Sequence, residues 1–252
     1  MFTTAHFIWL AIEAACIVLG LFLVKKFKLK PETVLNTVLI LVIISETIKT
    51  SQSLIESPTG GMFIKPSQLP LDLCSMQVIF ILVMKLCKNE KVRSVLKCFM
   101  VPTMMIGAGM ALLIPVEGCD PTRLRVIQYM MIHTVFVFYG IYLMTVEKVD
   151  LSFKAYKRNL LMLSLVAYFA FLMNGAMNVY DTNYFFLRKP PMDGLPVINL
   201  DNGYGVYLIT LVTIALLAVT LVHLPFIIKE MKNRKSDESE PKEEIKEEAE
   251  IK

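Results

Sequence analysis

Long apolar runs recur along this chain and constrain its fold more than any other feature. Seven of them come close to or exceed about 20 residues, the length that an α-helix needs to cross a bilayer. A backbone in lipid must satisfy its own hydrogen bonds, so each run is predicted to be a helix. The sequence therefore predicts an all-α, polytopic membrane bundle of seven transmembrane helices. The predicted spans are Ala5–Val24, Val34–Ile55, Leu69–Leu86, Val95–Ile114, Leu124–Thr145, Leu160–Asn178 and Tyr204–Ile228.

The basic residues between these spans are distributed unevenly. If all seven spans are real, 17 lysines and arginines fall on one side, after spans one, three, five and seven. The opposite side holds only 5, namely Lys65, Arg123, Arg125, Arg188 and Lys189. Basic residues favour the cytosolic side, so the N-terminus is predicted outside and the C-terminus in the cytosol. Losing one span would scramble this charge bias, so the bias supports the count of seven.

The chain divides into a membrane domain over residues 1–230 and a charged tail over residues 231–252. Ser236–Lys252 carries 8 acidic and 3 basic residues without aromatics, which predicts a disordered or transiently helical cytosolic tail. The first span has no basic residue before it, so it is predicted to be retained rather than cleaved as a signal peptide. The 5 cysteines show no metal-ligand spacing and no CxxC pair, and no disulfide, metal or cofactor is expected.

Polar side chains inside the spans concentrate in their outer halves. At a rise of about 1.5 Å per residue, Cys74 lies roughly 8 Å and His133 roughly 14 Å from the outer ends of their spans. Polar groups within spans usually face the bundle interior or a cavity, so this distribution indicates a cavity that opens outward. The group comprises Glu46, Cys74, Gln77, Gln128, Tyr129, His133, Asn174 and Asn178.

A thiol and an imidazole at similar depth can act as a nucleophile and its base. In that interpretation Glu46 orients His133, and Asn, Gln or Tyr donors stabilise an oxyanion. The alternative is structural: Cys74 as a small packing residue, His133 as a bridge between helices, and Glu46 paired with Lys49 one turn away. Packing roles are also expected for Cys98 and His223, which lie near the cytosolic ends of their spans. Spacing alone leaves the choice open.

Four segments resemble one family and favour the catalytic interpretation. Leu69–Cys74 (LPLDLC) is similar to the LPLHLC motif of the YwaF-like family of bacterial integral membrane proteins, which is related to transmembrane protein 164, a lipid acyltransferase. Ala111–Pro115, Gln128–His133 and above all Asn178–Pro190 match further segments of that family in order and spacing. One position departs from the motif, because Asp72 stands where the family usually has His.

The resemblance implies that Cys74 is the nucleophile and His133 the base of an enzyme that transfers fatty acyl groups between phospholipids. The expected partner is then a membrane phospholipid or lysophospholipid, with water as acceptor in a hydrolase version, and no nucleic acid. The loop after the sixth span would cover the cavity, with its cations suited to a lipid phosphate. Its candidate residues are Asn183, Tyr184, Arg188 and Lys189.

Two other classes of function remain open. The same polar cavity could bind or transport a lipid or small solute without catalysis, or the acidic tail could dock a basic cytosolic partner. The resemblance predicts the cytoplasmic membrane of a bacterium as the location. The sequence leaves the oligomeric state, the acyl donor and the acceptor undefined.

Overall fold

A computed structural model describes residues 3–56, 61–192, 194–195 and 197–250, without the side chains of residues 55–56 and 235–250. Helices dominate this part of the chain. Their bounds are α1 Thr4–Lys26, α2 Pro31–Ser53, α3 Leu73–Leu86, α4 Glu90–Pro102, a π-helical turn Thr103–Ala108, α5 Gly109–Leu113, α6 Leu124–Thr145, α7 Phe153–Ala176 and α8 Tyr204–Glu250. Short 3₁₀ turns lie at Pro66–Gln68, Asn178–Tyr180 and Tyr184–Phe186.

Two short strands accompany the helices of this predominantly helical fold. Leu54–Glu56 pairs antiparallel with Met62–Ile64, in the register that places Leu54 opposite Ile64. The pair lies directly after α2, at the end of the bundle that also holds the start of α3. We call this end of the bundle the outer end, following the predicted orientation.

Six helical segments in the described residues are long and apolar enough to cross a membrane. They are Thr4–Lys26, Pro31–Ser53, Glu90–Leu113, Leu124–Thr145, Phe153–Ala176 and Tyr204–Arg234. The chain is therefore a membrane protein with several apolar helices. The disorder predicted for residues 231–252 remains a prediction.

The third predicted span is shorter than the sequence suggests. Its helix, α3, has 14 residues, which at about 1.5 Å per residue is less than the bilayer core of about 30 Å. The cause is Pro70, which disfavours a helical conformation at Leu69; Leu69 is extended, with φ −60° and ψ 150°. Leu69–Asp72 is consequently irregular, and a seventh span with its resulting orientation remains a prediction.

The segment Glu90–Leu113 is a helix interrupted at Pro102. Proline cannot donate to the carbonyl four residues earlier, which here belongs to Cys98. The side chain of Asn159 on α7 supplies the missing donor, with Nδ2 3.0 Å from that oxygen. The π-helical turn follows immediately, over Thr103–Ala108. Such turns inside helices are often found at functional sites.

Helix α6 is the centre of the bundle. It packs against α1, α2, α4 and the π-helical turn. Its residues Phe136, Tyr139 and Leu143 lie in the main hydrophobic core. A close approach at Gly140 permits the packing, because a Cβ there would lie 3.2 Å from the Cβ of Met104. On the outer half of the same helix, Gln128 and His133 are buried as well.

Candidate functional site

Cys74 and His133 line the same cavity at the outer end of the bundle. The cavity has a volume of about 420 Å³ and receives residues from α2, α3, α5, α6, α8 and the loop after α7. Charged and polar side chains line part of it, and Ile132, Phe136 and Ile214 add an apolar surface. The cavity thus combines polar groups with room for a hydrocarbon chain.

Cys74 lies in the first turn of α3, two residues after the cap residue Asp72. The first helical hydrogen bond joins the Met76 N–H to the Asp72 carbonyl at 2.8 Å. The Asp72 side chain does not cap the helix. Within the described residues, no group accepts a hydrogen bond from the main-chain N–H of Leu73, Cys74 or Ser75. A helix N-terminus with free amides attracts negative charge, so these amides can donate hydrogen bonds to an oxyanion at this position.

His133 is buried on α6, with 7% of its surface exposed. Its Nδ1 donates to the Tyr129 carbonyl at 2.7 Å. A carbonyl can only accept, so in the neutral ring the proton is on Nδ1 and the lone pair is on Nε2. Among the described residues nothing hydrogen bonds to Nε2, and no hydrogen bond joins His133 to Cys74. The ring is therefore held in the form that can accept a proton from a group in the cavity.

Glu46 does not hydrogen bond to His133 in the described part of the chain. It pairs instead with Lys49, with 3.7 Å between Oε2 and Nζ, as in the structural alternative. Lys49 Nζ also donates to Ser75 Oγ at 2.9 Å. Both Glu46 and Lys49 line the cavity. This cluster consequently places Lys49, rather than Glu46, beside Ser75 in the first turn of α3.

Gln77, Gln128 and Tyr129 donate their side-chain hydrogen bonds to other groups of the protein. Gln77 is outside the cavity lining and donates to Thr103 Oγ1 at 3.0 Å. Gln128 lines the cavity, but its Nε2 donates to Ser45 Oγ at 2.7 Å. The Tyr129 hydroxyl donates to the Ala111 carbonyl at 3.1 Å. The free amides of α3 are therefore better placed than these side chains to bind an oxyanion.

Asn174 and Asn178 lie at a second cavity, of about 410 Å³, which Arg188 also lines. Asn174 uses both ends of its amide on the Tyr184 backbone. Its Nδ2 donates to the Tyr184 carbonyl at 3.0 Å, and its Oδ1 accepts from the Tyr184 N–H at 2.8 Å. Asn174 thus fixes the loop after α7 rather than acting beside Cys74.

The remaining loop candidates also have structural contacts. Asn183 Oδ1 accepts from the amides of Arg188 and Lys189 at 3.0 and 3.1 Å. Arg188 Nη1 donates to the Thr182 carbonyl at 3.1 Å. Lys189 forms an exposed ion pair with Asp181 at 2.5 Å, and this contact lowers the pKa of the Asp181 carboxyl. Neither cation of this loop lines the cavity of Cys74 and His133.

Asp72 anchors this loop over the cavity. Its Oδ1 accepts from the Phe185 N–H at 3.2 Å, and the next residue, Phe186, lines the cavity. Phe185 and Phe186 have φ values of 58° and 55°, a left-handed conformation that bulky residues rarely adopt. Two further hydrogen bonds hold the loop in place: the Tyr184 hydroxyl donates to the Pro66 carbonyl, and the Tyr207 hydroxyl donates to the Phe186 carbonyl. Asp72, which stands where the family motif usually has His, therefore has a defined partner in the loop.

Arg125 and Lys49 also line the cavity, although the sequence motifs did not indicate them as functional residues. In the sequence, Arg125 contributed only to the charge bias, and Lys49 was only a possible partner for Glu46. The available signal was helical spacing: Arg125 lies on α6 about two turns before His133, on a similar face. Both cations line the cavity that the loop cations do not reach.

Cys98 and His223 belong to a buried cluster elsewhere, centred on Asn159. Cys98 Sγ donates to Asn159 Oδ1 at 3.3 Å, and Asn159 Nδ2 lies 2.9 Å from His223 Nε2. His223 Nδ1 donates to the Leu151 carbonyl at 3.0 Å. These bonds join α4, α7 and α8, in agreement with the packing roles expected for Cys98 and His223.

The helices and the cavity define a polytopic membrane protein with a thiol and an imidazole in one chamber near the end of its bundle. The family comparison is specific. The profile of the TMEM164 family matches residues 1–223, and the chain belongs to that family. Comparison with curated proteins and with solved structures gives no match. The relation to transmembrane protein 164 inferred from the motifs is thereby confirmed, whereas the narrower YwaF-like label remains a prediction.

Proposed function

We propose that the protein is a lipid acyltransferase, or a lipid hydrolase when water is the acceptor, with Cys74 as nucleophile and His133 as base. The observation that carries the proposal is the position of Cys74. Its thiol lines a cavity shared with His133 and lies at a helix start whose amides have no acceptor among the described residues. Membership of the TMEM164 family supports the same chemistry through the acyl transfer that the motif resemblance implies.

The first half-reaction forms an acyl-enzyme. His133 Nε2 takes the proton from Cys74 Sγ, and the thiolate attacks the ester carbonyl of a phospholipid. The carbonyl oxygen becomes negative and accepts hydrogen bonds from the amides at the start of α3, as in an oxyanion hole. The C–O bond to glycerol then breaks, and His133 returns its proton to the leaving lysolipid oxygen. The product is a thioester on Cys74.

The second half-reaction reverses these roles. A lysolipid hydroxyl or water enters, loses its proton to His133 Nε2 and attacks the thioester carbonyl. The C–S bond breaks, and the thiolate recovers its proton from the imidazolium. A small movement or a bridging water brings the unbonded Cys74 and His133 together, since catalytic hydrogen bonds often shorten only when substrate is present. The reaction requires no further oxidant or cofactor.

Trapping the acyl-enzyme tests this proposal. Purified protein is incubated with a phospholipid labelled in its acyl chains, quenched in acid, digested and analysed by mass spectrometry. We expect the acyl mass on the peptide that contains Cys74, and its loss in Cys74→Ala. Cys16→Ala is the matched control, because Cys16 is an exposed residue on α1 outside this cavity. Undiminished acyl transfer by Cys74→Ala would refute the mechanism.

Non-enzymatic lipid binding or transport is the second candidate, and the mixed polar and apolar lining of the cavity favours it. The two candidates differ in the expected effect of removing the Cys74 thiol. A binding protein retains lipid affinity in Cys74→Ala and forms no acyl-Cys74 in the wild type. An acyltransferase forms the thioester and loses turnover when His133 becomes Ala, because the base is gone. The proposed setting is the cytoplasmic membrane of a bacterium, with seven spans and an external N-terminus.

A further inference from the structure

We infer that Arg125 and Lys49 bind the phosphate of a zwitterionic phospholipid headgroup at the outer part of the Cys74–His133 cavity. The inference deepens the proposed function, because it names the substrate class at the same site. It nevertheless concerns binding alone, so it can be tested separately from acyl transfer. Arg188 and Lys189, the cations expected from the sequence to meet a phosphate, are not among the residues that line this cavity.

Arg125 has a buried donor without a partner. Its Nε donates to Glu117 Oε1 at 3.0 Å, and its Nη2 donates to Gln68 Oε1 at 3.4 Å. The remaining nitrogen, Nη1, is buried and has no hydrogen-bond partner. An unsatisfied buried donor is costly, and in native proteins it calls for a specific explanation such as an absent ligand. A phosphate oxygen in the cavity would supply the acceptor, and guanidinium is well matched to phosphate.

Lys49 adds a second positive charge close to the nucleophile. Its Nζ donates to Ser75 Oγ at 2.9 Å, and Ser75 directly follows Cys74. Its ion pair with Glu46 is long, at 3.7 Å, so the ammonium group keeps donor capacity for a ligand. Lys49 and Arg125 lie on different helices, α2 and α6, and line one cavity. A ligand that bridges them would therefore contact both sides of the chamber.

The carboxylates of the cavity determine which phosphate fits. Glu46, Asp72 and Glu117 line it together with the two cations, so it is not a strongly positive site. A headgroup that carries only negative charge would be repelled by the carboxylates that the two cations leave uncompensated. A headgroup with both a phosphate and an ammonium offers a partner to each sign of charge. The lining thus favours zwitterionic phospholipids over anionic ones.

The depth of these groups agrees with the geometry of a lipid. Arg125 is the second residue of α6, at its outer end, where a headgroup would lie. His133 is about 12 Å further along the helix at 1.5 Å per residue, and the apolar Phe136 follows about one turn later. Phosphate, ester and acyl chain occur in the same order along a phospholipid. With the phosphate at Arg125, the ester would consequently lie deeper in the cavity, on the side of His133.

Binding measurements in a Cys74→Ala background test the inference without acyl chemistry. The probes are lysophosphatidylcholine, a monoacylglycerol with the same chain and glycerophosphocholine without a chain, each titrated in an uncharged detergent. We expect Arg125→Gln and Lys49→Gln each to weaken lysophosphatidylcholine binding by about 10-fold, the loss of one charge-assisted hydrogen bond. Monoacylglycerol, which has no phosphate, should bind all variants equally.

Arg123→Gln is the matched control, because Arg123 lies two residues from Arg125 but does not line this cavity. Its affinity for lysophosphatidylcholine should equal that of the Cys74→Ala parent. Equal loss in Arg123→Gln and Arg125→Gln would overturn the inference, as would equal loss of monoacylglycerol binding. Glycerophosphocholine bound as tightly as lysophosphatidylcholine would overturn the assignment to a lipid. Failure to trap acyl-Cys74, with these binding differences intact, would refute the proposed reaction and leave the phosphate site standing.

Discussion

Asp72 illustrates how one side chain can connect two distant segments at the site. It precedes Cys74 by two residues, yet its carboxylate accepts a hydrogen bond from the Phe185 amide, 113 residues away. By doing so it leaves the amides at the start of α3 uncapped. A capping side chain would compete for those amides. The residue therefore helps to cover the cavity and leaves the amides at the start of α3 free to bind a ligand.

Replacing Asp72 by Ala should loosen the loop over the cavity. The Phe185 amide loses its acceptor, at a cost of about 1–3 kcal/mol if the amide stays buried. We expect faster protease cleavage near residues 181–189 and reduced acyl transfer, measured on the same preparation. Asp72→Asn retains a carbonyl oxygen and should stay close to wild type. Cleavage rates that are unchanged in Asp72→Ala would show that this bond does not hold the loop.

At the scale of elements, helix α6 and the π-helical turn determine where the site lies. Gly140 allows the two to approach, since a Cβ at Gly140 would be 2.9 Å from Met105 Cγ and 3.3 Å from the Met105 amide nitrogen. Further along the same segment, α5 contributes Met110 and Ala111 to the cavity wall. The packing of α6 on this segment thus fixes the wall that faces His133.

Gly140→Ala should destabilise the bundle by overpacking at this contact. Such substitutions typically cost about 1–3 kcal/mol, because neighbouring side chains and backbone must shift. We expect a lower midpoint of thermal unfolding in detergent. Gly109→Ala is the control: a Cβ there meets no atom within 4 Å, and alanine favours a helix more than glycine does. An equal decrease in both variants would exclude close packing at Gly140 as the cause.

Periodicity and depth placed Cys74 and His133 at one cavity, because residues at similar depth on neighbouring helices meet when their helices pack. They did not reveal the short α3, since Leu69–Leu86 is predominantly apolar and only Pro70 and Asp72 indicate that the helix begins late. The side-chain roles of Asn174, Asn183 and the glutamines also could not be read from the sequence. They depend on hydrogen bonds to particular backbone atoms, which only the folded chain defines.

For the whole molecule, the distribution of basic residues and the short α3 make a decisive test of topology possible. With seven spans, residue 88 is cytosolic and residue 202 is external. Without a crossing by α3, both positions exchange sides. Each of these residues is exposed in the structure, so each can carry a reporter. The accessibility of these two positions therefore tests the predicted topology.

Single cysteines at these positions, Lys88→Cys and Asn202→Cys, are introduced into a cysteine-free chain and treated in intact cells with a membrane-impermeant maleimide. The positive-inside rule predicts labelling of Asn202→Cys alone, and labelling of Lys88→Cys only after the cells are opened. Immediate labelling of Lys88→Cys with protection of Asn202→Cys would contradict seven crossings with an external N-terminus.

The loop over the cavity has a consequence for how the protein is made. Phe185 and Phe186 hold left-handed backbone conformations that cost roughly 1–3 kcal/mol each. They are maintained by partners far apart in the chain, at Pro66, Asp72 and Tyr207. During synthesis Cys74 and His133 leave the ribosome long before the last of these partners. The cavity is therefore completed only when α8 joins the bundle, so a chain truncated before Tyr207 would hold Cys74 and His133 without a closed cavity.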